Sequence, residues 1–347
     1  MWLPAYEAGK HAILMQNTMK KHLIAIVFAA VLPAAAHAAP CSTTTDKGAA
    51  TPLMYSAREG DSQNVRCLLE NGANANAADG DGWSALMFAA LNGHTTIAQN
   101  LIDKGANVNA TSKIGGTALG AAAFNGHTDV ARLLIASGAN VNASPTHGET
   151  VGATALLVAA GKGHTDIVRL LIEKGAQVNI ATKDGFAALM DAALKGHTDV
   201  VRLLIANGAN VNVADKDGFT ALMAAAYEGR ADAVSLLIEK GANVNAAISK
   251  GERAGTTALI LAAAKGHTDI ARLLIEKGAD VNAATKNAYT VLMYAAGEGR
   301  PDIARMLIQK GANINAVDKD GDTALAYAKR HGHTSIEEML RAAGAKE

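Results

Sequence analysis

The fold class this sequence predicts is an all-α solenoid of nine helix-turn-helix repeats joined by short hairpin loops, and three observations predict it. A leucine recurs at Leu53, Leu86, Leu119, Leu156, Leu189, Leu222, Leu259, Leu292 and Leu325, at intervals of 33, 33, 37, 33, 33, 37, 33 and 33 residues. A fixed period of this size marks an array in which no unit can bury its own apolar face, so each must stack on its neighbours. Within a period, two short apolar runs of helical spacing alternate with Gly- and Asn-rich turns. Composition agrees, since 34 Gly against 6 Pro suits many short helices closed by glycine.

Residues 214–246 (ADKDGFTALMAAAYEGRADAVSLLIEKGANVNA) serve as the type unit. Thr220 is placed to cap the first helix with its hydroxyl, and Leu222, Ala225 and Ala226 follow at helical spacing. Gly229 interrupts that helix. Val234, Leu236, Leu237 and Ile238 form the second, which Gly241 ends by adopting the left-handed conformation of a helix C-terminus. Asn243-Val244-Asn245 and Asp215-Lys216-Asp217-Gly218 carry the turn chemistry of a hairpin-like connection. With its T-P-L-H-x-A-like start, Gly-His turn and L-L-x-x-G-A-x-V-N ending, the chain resembles the ankyrin repeat family over nine consecutive units, residues 51 to about 344. The units begin near 51, 84, 117, 154, 187, 220, 257, 290 and 323, within a repeat domain of residues 51–347. This resemblance implies a non-enzymatic scaffold that binds another protein through a concave groove and its hairpin tips.

Residues 1–18 resemble neither a targeting signal nor the fold and are read as an upstream extension, with translation starting at Met19. Residues 19–38 have a basic start at Lys20-Lys21, a ten-residue apolar run from Leu23 to Leu32 and a small-residue exit, Ala36-His37-Ala38. These are the three parts of a secretory signal, cleaved after Ala38, and the run is too short to span a bilayer. Lipoprotein processing at Cys41 is disfavoured by Pro40, which stands where such a signal needs a small residue. The mature chain is thus expected in a periplasm or outside the cell, where disulfides persist. After a lead of residues 39–50 come the repeats. Cys67 occupies a register held by Leu203 and Leu273 in later units. It reads either as a small core hydrophobe or as the partner of Cys41 in a disulfide tethering residues 42–66, which contributes about 3 kcal/mol by loop closure.

Individual units depart from the pattern. Repeat one has Thr51-Pro52, a cap followed by proline, and Asp61, Gln63, Asn64 and Arg66 in its second helix, as suits an end unit. Repeat five has Ala187 where the other eight have Thr or Ser, losing a cap of about 1 kcal/mol. It also carries Asp191 on a face that is otherwise apolar, where it reads as solvated or as a binding residue. Longer connections at residues 144–153 and 247–256 account for the 37-residue intervals. They lie 103 residues apart in similar flanks, which a duplicated three-repeat block explains, and both are expected to project as fingers from one side. Repeat nine has Lys329 in an alanine register and Glu337-Glu338 in its second helix, the marks of a terminal cap.

On the first helix, the second, fifth and sixth positions after the repeat leucine share a face, which the leucine and paired alanines leave pointing outward. Beyond Ala38 the chain has ten aromatic residues, all on this face (Tyr55, Phe88, Phe124, Tyr227, Tyr294, Tyr327) or just before the cap (Trp83, Phe186, Phe219, Tyr289). Rings concentrated there are expected to be partner-binding anchors, because aromatic residues dominate interface hot spots. Leu91, Val158, Leu194 and Leu261 continue the stripe, and Asn92, Asn125, Lys162, Lys195, Glu228, Lys265 and Glu298 rim it. If the rings are surface anchors, replacing Phe124, Phe186, Phe219 and Tyr227 by Ala leaves the helices intact and abolishes binding. The expected partner is another protein, bound by a monomer. With 32 basic and 32 acidic residues the chain offers no electrostatic footprint for nucleic acid.

His94, His127, His164, His197, His267 and His333 each follow a turn glycine. Stacked helices lie about 8–10 Å apart whereas zinc needs ligands at about 2 Å, so these read as turn residues bonding to backbone, and no metal or cofactor is expected. There is no G-x-S-x-G elbow, H-E-x-x-H pair or phosphate-cradling loop, and no enzyme activity is expected. The rival readings are an effector secreted onto a host protein, and a groove that binds a small ligand or catalyses.

Overall fold

The computed structural model describes residues 51–145 and 151–346. The expected upstream extension and export signal, the lead with Cys41 and residues 146–150 of the first longer connection lie outside the described residues. Within them are eighteen helices in nine pairs. The first four pairs are α1 (Pro52–Glu59) with α2 (Ser62–Glu70), α3 (Ala85–Leu91) with α4 (Thr95–Asp103), α5 (Ala118–Asn125) with α6 (Thr128–Ala136), and α7 (Ala155–Lys162) with α8 (Thr165–Glu173). The other five are α9 (Ala188–Lys195) with α10 (Thr198–Ala206), α11 (Ala221–Tyr227) with α12 (Ala231–Glu239), α13 (Ala258–Lys265) with α14 (Thr268–Glu276), α15 (Val291–Gly297) with α16 (Pro301–Gln309), and α17 (Ala324–His331) with α18 (Thr334–Ala342). Among the described residues the hairpin connections hold only isolated antiparallel bridges, such as Ala78 with Ser84 and Ala214 with Thr220. The expected all-α repeat fold is therefore present.

Helices of seven to nine residues are marginal alone, so their ends and their packing must hold them. The Thr220 hydroxyl accepts the Met223 amide at 3.3 Å, and Thr51, Ser84, Thr117, Thr154, Thr257, Thr290 and Thr323 cap their helices likewise. Ala187 supplies no such bond to α9. At the other end of the unit, Gly241 has φ +90° and the Ala242 amide reaches back to the Leu237 carbonyl at 2.9 Å, closing α12. Ala288, with φ +60°, is the one non-glycine residue in the left-handed region among the described residues. It stands in the hairpin where Gly185 and Gly218 serve other units.

The described residues form two compact units, one of residues 51–183 with 206–208 and one of 184–205 with 209–346. In the first, α1, α3, α5 and α7 pack side by side with α2, α4, α6 and α8 behind them. The second is built alike, from α9, α11, α13, α15 and α17. Between helix layers lie the repeat leucines and the paired alanines, for example Ala225 and Ala226 at 0 % exposure. Alanine there lets helices approach closely, so stacking buries a continuous aliphatic core.

A second set of bonds runs along the loop edge. The Asn76 side chain donates to the Gly105 carbonyl (2.8 Å) and accepts the Asn107 amide (2.7 Å), spanning two repeats. Asn109 does the same toward Gly138 and Asn140, and Asn245 toward Gly278 and Asp280. The second asparagine of each Asn-x-Asn is thus a clamp on the next unit, beyond the turn role expected of it.

Cys67 is in a disulfide, and it is half-buried on α2. This corrects its reading as a core hydrophobe, because that register is only half-covered even where it holds Leu203 or Leu273. Cys41, the other cysteine in the sequence, lies outside the described residues. In the second finger Ile248 is buried, while Ser249 through Glu252 are exposed at the tip. The Ser249 amide holds the Asp217 carbonyl of the preceding hairpin at 2.7 Å. Lys329 and Glu338 of repeat nine are exposed, as a terminal unit requires.

Restoring the missing cap should be simple, because Thr154, Thr220 and Thr257 occupy equally buried equivalents of Ala187. Ala187→Thr is expected to raise stability by about 1 kcal/mol, read as a higher urea midpoint at unchanged slope.

Candidate functional site

The helix-one face that the sequence marks as outward is covered. Nine of the ten aromatic residues are buried, and only Tyr55 is half-exposed, at the first described repeat. Phe88 and Phe219 retain 1 % of their surface. Trp83, Phe124, Phe186, Tyr227, Tyr289, Tyr294 and Tyr327 are buried too. The expectation that these rings are surface anchors is therefore corrected. A helical wheel drawn for one repeat sees only that repeat's second helix as core, whereas the neighbouring first helices close over the remaining side.

The contacts show how. Trp83 lies 5.4 Å from Phe88, centroid to centroid. Tyr289 meets Tyr294 at 4.4 Å and Tyr327 at 4.8 Å, both edge-on, and so joins repeats eight and nine. The Lys162 ammonium sits 4.0 Å over the Phe124 ring, and Lys265 sits 4.4 Å over Tyr227. In each case the lysine belongs to the next repeat, and its aliphatic stem and charge together roof the ring. The half-exposed Tyr55 lies under its own repeat's Arg58, 5.6 Å away.

Asp191 and Leu194 are likewise buried, each at 1 % exposure, so neither a solvated nor a surface-binding role fits them. A carboxylate at that depth is retained only where polar contacts hold it. Burial, followed by the neighbouring Glu298, pushes the Tyr294 phenol up to about 12. Burial also raises Tyr289 and Tyr327 well above the usual phenol range, and the Tyr327 hydroxyl donates to Asp318 at 2.5 Å. The tyrosine cluster is neutral at any physiological pH and acts as packing.

The turn histidines bond to backbone in the way their position suggests. His94, His127, His164 and His267 place Nε2 at 3.0–3.1 Å from the carbonyl of Arg58, Leu91, Phe124 and Tyr227, each in the preceding repeat. A carbonyl only accepts, so each Nε2 carries the proton. Arg230 and Arg300 substitute, donating to the Leu194 and Ala264 carbonyls. His331 and His333 both donate to the Gly297 carbonyl, at 2.7 and 3.1 Å.

What this face leaves exposed is its sixth position. In the unit containing residues 209–346, Lys195 and Lys265 are exposed and Glu228 and Glu298 half-exposed, one on each successive first helix or at its end. Glu228 comes within 4.0 Å of the exposed Arg230. Among the described residues no ion pair engages Lys195, Lys265 or Glu298. These positions are legible in the sequence as a polar rim, but their rank above the rings is not.

The family model for ankyrin repeats, in three copies, matches eight overlapping spans that run together from residue 14 to residue 346. The chain belongs to the ankyrin repeat family. Ankyrin repeats are generally protein–protein interaction modules, and proteins built from them are typically non-enzymatic scaffolds. A comparison with curated proteins returns no match.

Because this ankyrin array uses its rings as inter-repeat packing, truncating them should cost folding. Phe219→Ala is expected to lose about 3–5 kcal/mol, and the combined Phe124, Phe186, Phe219 and Tyr227 alanine variant should lose its helical circular dichroism at 25 °C. Retention of a native spectrum and a cooperative melt by the fourfold variant would contradict the packing role.

Proposed function

We propose that the chain is a non-enzymatic scaffold that holds another protein against the exposed edge of its first helices and the adjoining hairpin tips. The observation that carries this is the row Lys195, Glu228, Lys265 and Glu298, charged and solvent-facing above a floor of buried side chains. A rigid, preformed face of this kind binds with little ordering cost, and its charges set orientation and exclude wrong partners. The rings beneath fix the spacing of the row and reach a partner only at their edges.

The test is capture. The fourfold variant Lys195→Gln, Glu228→Gln, Lys265→Gln and Glu298→Gln is expected to fold like the parent, since surface substitutions shift stability by about 0.5 kcal/mol each and loss of the Lys265 charge over the Tyr227 ring costs about 0.5–1 kcal/mol. It should lose a cross-linked protein that the parent retains from the native envelope fraction. A back-face control, Arg202→Gln with Arg272→Gln on exposed positions of the second helices, should keep that protein. Equal capture by all three proteins, or capture by none, would remove the proposal.

The same reading places the mature protein outside the cytoplasm, in a periplasm or beyond, after cleavage behind Ala38. The disulfide at Cys67 supports it, because such bonds persist in oxidising compartments. The purified native protein should begin at Ala39 and show no free thiol under denaturing, non-reducing conditions. Two free thiols, or a mature chain still carrying residues 19–38, would overturn export.

A further inference from the structure

The row on the first helices also carries a register, and that register selects the shape of what binds it. This inference rests on the row being the contact surface. Along α9, α11, α13 and α15 the sixth positions read Lys195, Glu228, Lys265, Glu298, so the sign alternates at every step. These helices pack side by side, and axes of packed helices lie about 8–10 Å apart. The charges are not spent on one another: Glu228 reaches Arg230 at 4.0 Å, Lys265 rests on the Tyr227 ring, and neither Lys265, Lys195 nor Glu298 is in an ion pair among the described residues.

Three regular ligand conformations can be compared with that step. A β-strand covers about 10 Å in three residues, but its side chains alternate faces with period two, so every second charge would point away from the row. An α-helix covers about 10.5 Å in seven residues, yet it is a cylinder about 10–12 Å wide that docks by burying an apolar stripe. The rings that could receive such a stripe are already covered by the neighbouring repeats. A polyproline II helix advances about 3.1 Å per residue with three residues per turn, which returns the same face every 9.3 Å or so.

We infer that this row binds a polyproline II segment of a partner protein in which acidic and basic residues alternate at every third position, acids facing Lys195 and Lys265 and bases facing Glu228 and Glu298.

The experiment uses the full chain and two fluorescein-labelled decapeptides of equal composition, read by anisotropy. One is Asp-Pro-Pro-Arg-Pro-Pro-Asp-Pro-Pro-Arg, and the other gathers its two Asp and two Arg into adjacent blocks. The alternating peptide should bind at least tenfold more tightly than the block isomer. Lys195→Gln with Lys265→Gln, and separately Glu228→Gln with Glu298→Gln, should each weaken it about tenfold while circular dichroism stays unchanged. Equal binding of the two peptides, no binding of either, or indifference to both double variants would overturn the inference. If the fourfold Gln variant nonetheless loses the captured envelope protein, the scaffold reading survives and only the polyproline register falls. If capture persists as well, both fall.

Discussion

The carbonyl groups at helix ends are the constraint on which the rest of this structure depends. An α-helix leaves its last four carbonyls without partners, and in helices of seven to nine residues that is about half of the total. Each repeat therefore carries orphan acceptors that it cannot satisfy alone. The next repeat supplies the donor from its turn, His94 to Arg58, His127 to Leu91, His267 to Tyr227. The asparagine clamps work in the opposite direction, from one loop to the closing glycine of the following unit. Every such bond is worth about 0.5–1.5 kcal/mol net, but leaving a buried acceptor empty costs more. Repetition of the sequence is thus a chemical requirement before it is a packing one.

Close stacking follows, and it decides the fate of the aromatic residues. Once alanine pairs and left-handed glycines bring first helices into contact, a ring at the second or fifth position has a neighbouring helix over it. The Tyr289 pairs with Tyr294 and Tyr327 belong to this packing, and so do the lysine roofs on Phe124 and Tyr227. The lysines are the instructive case. Their stems complete the interior while their ammonium groups form the surface, so one residue type belongs to both.

Function then rests on residues that contribute little to stability. Rim charges such as the exposed Lys195 and the half-exposed Glu298 can change without disturbing the core, and the spacing between them is imposed by the stack. A scaffold of this kind separates the two demands: the interior sets a ruler, and the rim writes on it.

The period of 33 residues, the capping Thr and Ser, the closing glycines and the helix pairs could all be read from the chain, because they depend on neighbours within a few residues. The turn role of the histidines was readable for the same reason, and so was the missing cap at Ala187. The direction in which a side chain meets another repeat was not. Asp191, Leu194 and nine of the ten aromatic residues look outward in a single repeat and are buried in the stack, and Cys67 looks like core and is half-exposed. Burial of a face is settled by residues about 33 positions away, at a distance and angle that no local pattern encodes, so the sequence alone determined the repeat and only the tertiary structure decided which of its faces is surface.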